Sequence, residues 1–157
     1  MSKHQISKNT NIEQEIDNWL WRKIAKKHKA IDNMPICPFL QQYRKKIMIV
    51  DSDNAVESAR IFADLKDALS LEAVILHGPY YDYDELVDLC DLINHKFAKK
   101  DVTVLCMHPD TDEPPLPIEY NFYWPLIILQ KTSTLKQARS LLLKNTNYYD
   151  YFTDSGK

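Results

Sequence analysis

The stretch KKIMIVDSDNAVESARIFADLKDALSLEAVILHGP, residues 45–79, decides how this chain folds. It opens on a short β-branched run, KKIMIV (45–50), which ends at Asp51 and reads as a strand. Asp51-Ser52-Asp53-Asn54 then offers several side chains for a helix N-cap, and Ala55, Ala59, Phe62, Leu65 and Leu69 follow at helical spacing. EAVIL (72–76) is a second strand, stopped by His77-Gly78-Pro79. The same alternation continues through a helix from about Tyr83 to Lys99, with Leu86, Leu89, Cys90, Ile93 and Phe97 inward. A third strand, VTVLCM (102–107), ends at His108-Pro109. Strands and helices alternating with tight joints are the pattern of right-handed parallel crossovers, so the three strands are predicted to run parallel.

Upstream, Ile12, Ile16, Trp19, Leu20 and Ile24 recur at three- and four-residue steps, which predicts a helix over 11–29. Its end carries Lys26-Lys27-His28-Lys29, cations suited to the carbonyl end of the helix dipole. Downstream, the proline-rich segment DTDEPPLPIEYNFYW (110–124) lacks the helical pattern of a crossover. PLIILQ (125–130) therefore reads as a fourth strand, antiparallel or at an edge, followed by a helix over 133–144 with Leu135, Ala138, Leu141 and Leu142 inward. With no repeat or low-complexity segment, the expectation is one α/β domain over 11–152. Its core is a four-stranded mixed, mostly parallel sheet with flanking helices in two or three layers. Residues 1–10 and 153–157 are expected to be flexible ends.

Composition narrows the function. The 157 residues balance 20 Lys+Arg against 22 Asp+Glu, so no basic excess calls for a nucleic-acid partner. No apolar run approaches the roughly 20 residues of a membrane helix, so no membrane partner is expected. The lysines of MSKHQISKNTNIEQEIDNW have no apolar core behind them, so no secretory signal is read and a cytoplasmic setting is expected. Three scattered cysteines fit that reducing compartment. The only glycines are Gly78 and Gly156, which excludes a P-loop and a dinucleotide-binding glycine fingerprint. No C-x-x-C, G-x-S-x-G or H-E-x-x-H occurs, and the residues name no cofactor.

Ligands of open parallel sheets lie outside the carboxyl ends of the strands. Those ends carry Asp51, Ser52 and Asp53 after the first strand, His77 after the second, and His108 with Asp110 after the third. Histidine and carboxylate are the groups of acid/base work and of divalent-metal binding. The same residues also serve as helix caps and strand ends. In Met34-Pro35-Ile36-Cys37-Pro38-Phe39-Leu40, Pro38 at the first position of a short helix makes Cys37 its N-cap. A thiol there feels the positive end of the dipole, with Arg44, Lys45 and Lys46 nearby, and becomes a candidate thiolate; the alternative is a small buried hydrophobe. Cys90 and Cys106 read as core. Aromatics crowd 108–124, Tyr80–Tyr83 and Tyr148–Phe152, as packing, a lid or an interface.

One resemblance follows from these residues. A tryptophan near the start, Cys37-Pro38-Phe39, His108-Pro109 after a strand, then Asn121, Pro125 and a strand running into Leu135 and Ala138 resemble a family of small bacterial proteins without an assigned activity. That family is marked by Cys-Pro-Phe and a later aromatic-His-Pro, and the likeness covers roughly 19–145. The chain departs from it at Met107 before the histidine, in a shorter segment between His108 and Asn121, and at Gln130-Lys131 in place of a more basic pair. The resemblance implies that Cys37 and His108 share a site.

Three readings result. In the first, Cys37 and His108 are catalytic in a thiol-dependent or small-molecule pocket at the strand ends, with Asp51, Ser52, His77, Asp110 and Asn121 binding and Arg44 with Lys131 holding a small anionic molecule. In the second, the chain is a non-catalytic accessory domain that binds a protein partner or itself. Trp19 and Trp21, two residues apart, cannot face one core from a helix, so one indole is expected to be exposed or covered by a partner. The third, ranked below both, is a metal site of His77, His108, Asp51, Asp53, Asp110 and Asp112.

Overall fold

A computed structural model describes residues 2–111 and 115–152, with the backbone alone for residues 2–10. Helix α1 spans Ser2–Trp19, so helix begins well ahead of the expected Asn11 start. It passes into a π-helical turn, Leu20–Ile24, and stops there rather than at Lys29. The stop has a local cause: the His28 Nε2–H donates to the Lys23 carbonyl at 2.8 Å. The chain then folds back in a two-residue ladder between β1 (Lys27–His28) and β2 (Met34–Pro35).

The main sheet contains β3 (Ile47–Asp51), β4 (Ala73–His77), β5 (Val102–Met107) and β6 (Leu126–Lys131). Their order is β3-β4-β6-β5. β3 and β4 pair in parallel, and β6 pairs antiparallel with both β4 and β5. The three early strands thus run in one direction, as expected, but only one ladder is parallel, and "mostly parallel" is corrected to a mixed sheet. The fourth strand is antiparallel but central, not at an edge. Its sequence explains the position: Leu126, Ile127 and Leu129 are all buried, so both faces of the strand need cover. A chain leaving β5 without a crossover helix can only run back antiparallel, and β6 fills the gap between β4 and β5.

Two helices cover one face. α2 (Ala55–Leu65) is capped by Asn54, whose side chain accepts from the Glu57 N–H at 3.1 Å. α3 (Tyr83–Lys96) starts with a capping box of Asp82 and Glu85. Ala59, Phe62, Leu86, Cys90 and Ile93 meet Val74, Leu76, Val104, Ile127 and Leu129 beneath these helices. Leu69, expected on the α2 stripe, falls beyond the helix and is exposed. The opposite face is covered by α1, the π turn, residues 25–46, the aromatic loop and the C-terminal segment. There Ile16, Leu20, Ile24 and Ile31 pack with Ile75, Leu116, Phe122 and Leu126. α4 (Thr132–Asn145) contributes Leu142, whereas Leu141 faces solvent. The result is a three-layer sandwich.

Candidate functional site

The carboxyl ends of β3, β4 and β5 lie at one edge, but the strand order divides what they carry. Asp51 and His77 are register partners on adjacent strands. His108 follows β5, and β6 stands between it and β4, so the two histidines belong to strands about 10 Å apart. On the β3–β4 side, the His77 Nε2–H donates to Glu13 Oε1 at 3.2 Å, tying α1 to the sheet. Ser52 shares a hydroxyl hydrogen bond with Ser58 at 2.7 Å, and its N–H donates to the His77 carbonyl at 2.8 Å. Gly78 presses against this turn: a Cβ there would sit 2.1 Å from the Ser52 carbonyl oxygen. Asp51 and Asp53 are exposed.

His108 is 2% exposed, and both ring nitrogens have partners. Nε2–H donates to the Tyr81 carbonyl at 2.9 Å, and Nδ1 accepts the Asp110 N–H at 3.0 Å. The Asp110 carboxylate, 3.9 Å from Nδ1, is too distant to compete with that bond. Tyr80 and Tyr83 stand edge-on to the ring. This histidine is built as a strut between the start of its loop and the segment leading into α3. A ring with both nitrogens engaged by backbone has no lone pair or proton to offer a substrate.

Cys37 lies elsewhere. It precedes a 3₁₀ segment, Leu40–Lys46, whose N-cap is Phe39 rather than Cys37. The N–H groups of Phe39 and Leu40 favour a thiolate, but the stronger effect is burial, which pushes the Cys37 thiol above its ordinary value. Its neighbour Tyr43 also feels Glu72 and Lys131, which sit at the opposite end of the sheet from His108. β6 runs from Leu126, paired with Met107, to Lys131, paired with Val102. Five strand steps of about 3.3 Å, roughly 17 Å in all, separate those ends. The structure therefore does not bring Cys37 and His108 together, and Cys37 lacks the lowered pKa of a nucleophile. The two cations expected to hold an anion are also engaged: Arg44 stacks 4.5 Å over the Trp21 ring, and Lys131 pairs with Asp67 at 3.3 Å. Among the described residues no three His, Cys, Asp or Glu side chains are grouped to hold a metal ion; Asp112 lies outside the described residues.

The indoles behave otherwise than expected. Trp19 donates from Nε1 to the Tyr120 carbonyl at 2.7 Å and meets Phe122 edge-on. Trp21 donates to Asp17 Oδ1 at 3.0 Å. They do face different surroundings, and both are half-buried with their N–H groups satisfied within the chain. The C-terminal aromatics are packing: Tyr148 is buried against Tyr149 and Phe152, and its hydroxyl donates to the Ile36 carbonyl.

A shallow groove of about 410 Å³ is lined by Trp19, Lys23, Glu119, Tyr120 and Asn121. It lies where α1 enters the π turn and the aromatic loop crosses it. Trp19–Tyr120 and a hydrogen bond from the Tyr123 hydroxyl to Glu15 strap the loop to the helix. Of these residues Trp19 and Asn121 stood out individually in the sequence. Tyr120 was marked only as one of the aromatics crowding 108–124, and Lys23 and Glu119 gave no signal, because nothing local places residue 23 beside residue 120.

No family model, no curated protein and no solved structure matches the chain. Among the described residues no helix is long and apolar enough to cross a membrane.

Proposed function

We propose that this chain is a small-molecule-binding domain that takes a singly charged organic anion in the groove between α1 and the aromatic loop. One observation carries the reading: an ammonium, a carboxamide and two aromatic walls, from Lys23, Asn121, Trp19 and Tyr120, line one concavity of the size that holds small ligands. Lys23 pairs with the anion, Asn121 supplies a directional donor, and the indole and phenol cover an apolar body. Glu119 on the same rim repels a polyanion, which limits the ligand to a single negative charge. The π turn supports the reading, since such turns often accompany functional sites and this one carries Lys23. The Cys-Pro-Phe and His-Pro motifs act in this proposal as supports of the fold.

The test is a titration of the isotope-labelled protein with benzoate and indole-3-acetate, followed by NMR. The expected result is saturable shifts of the Trp19 Nε1–H and the Asn121 side-chain amide, abolished by Lys23→Ala. Absence of saturable shifts in groove residues up to about 10 mM probe, where even millimolar binding registers, overturns the proposal.

A further inference from the structure

We propose that Cys90 of α3 and Cys106 of β5 are a redox couple that closes to a reversible disulfide, Cys106 being the thiol oxidised first and Cys90 the one that resolves. The placement follows from a third residue. The Asn94 side chain grips the backbone of β5 at one point, donating to the Val104 carbonyl at 2.9 Å and accepting the Val104 N–H at 2.7 Å. That clamp holds helix and strand within one short side chain of each other, the separation a disulfide spans. α3 is the crossover between β4 and β5, which share a direction, so it runs antiparallel to β5. One turn back from Asn94 is Cys90, a step of about 6 Å. Two residues on from Val104, on the same strand face, is Cys106, a step of about 6.6 Å. The steps match, so the two side chains come level in the core between α3 and β5, where Cys106 packs against the cluster that holds Cys90.

Their surroundings differ in the way the roles require. Cys90 is 3% exposed within the core, whereas Cys106 is partly exposed on an edge strand. Each thiol is the largest influence on the other: their interaction lowers the pKa of the Cys106 thiol and raises that of Cys90, with Asp91 opposing ionisation of either. With a hydroperoxide as oxidant, the Cys106 thiolate attacks the O–O bond. An S–O bond forms, the O–O bond breaks, and the leaving oxygen takes a proton as water or alcohol. Cys90 then attacks the sulfenic sulfur, S–S forms, and its thiol proton departs with the hydroxyl as water. Two thiols are oxidised, one peroxide is reduced, and a small-molecule thiol reverses the bridge by exchange.

The test uses the intact chain, exposed to hydrogen peroxide, alkylated with iodoacetamide and digested without reduction. The expected outcome is a Cys90–Cys106 linked peptide, a mass lower by about 2 Da before alkylation, loss of two of the three free thiols, and full recovery with dithiothreitol. Cys37→Ala is expected to leave the bridge intact, and Cys90→Ser to trap Cys106 as a dimedone-reactive sulfenic acid. Sulfenic or sulfinic Cys106 in the intact chain without the linked peptide overturns the proposal. So do two unmodified thiols at peroxide levels that oxidise free cysteine, or a bridge that requires Cys37.

Discussion

His108→Ala separates a strut from a catalyst. Removing the ring deletes the bond to the Tyr81 carbonyl and the bond from the Asp110 N–H, each worth about 1 kcal/mol net. It also leaves backbone groups at a site 2% exposed without partners, a further cost of about 1–3 kcal/mol. The edge-on contacts with Tyr80 and Tyr83 add little, because both rings are nearly half exposed. The expected loss is about 3–5 kcal/mol. At about 2–4 °C per kcal/mol for a chain of this size, the melting temperature falls by roughly 10 °C. The assay is urea and thermal unfolding followed by far-ultraviolet circular dichroism, with amide exchange read at Asp110. A loss under about 1 kcal/mol with unchanged Asp110 protection refutes the strut.

Two other substitutions probe the frame around the site. Gly78→Ala places a methyl 2.1 Å from a backbone oxygen, so the turn after β3 must move away from the end of β4 and the Ser52–His77 hydrogen bond is lost. The expectation is a loss of about 2–4 kcal/mol in urea unfolding, and a value within about 0.5 kcal/mol of wild type shows that the turn yields freely. Tyr148→Phe removes the donor to Ile36 at a cost of about 1–2 kcal/mol at neutral pH. Burial raises the Tyr148 pKa, so its contribution is full below the unfolded value of about 10 and is lost as pH rises past it. The decline of the urea midpoint above pH 10 is therefore expected to be shallower by one proton in the variant, and an unchanged slope contradicts the assignment.

What the sequence determined is local. The short apolar runs at 47–51, 73–77 and 102–107 and the helical stripes of α2 and α3 were legible, because neighbouring residues alone decide whether apolar residues form a short continuous block or a face that repeats at 3.6. Tertiary structure decided the rest. β6 reads as an apolar strand in isolation, but its central position depends on where β4 and β5 leave a gap, and that insertion parts His77 from His108. The Cys-Pro-Phe motif looked like an activated thiol because dipole and nearby cations are visible in the sequence, whereas burial, the stronger effect, is not. Cys90 and Cys106, read separately as core, become a pair only when Asn94 fastens α3 to the outer edge of β5. The groove likewise joins residues about a hundred positions apart, and no periodicity carries information over that distance.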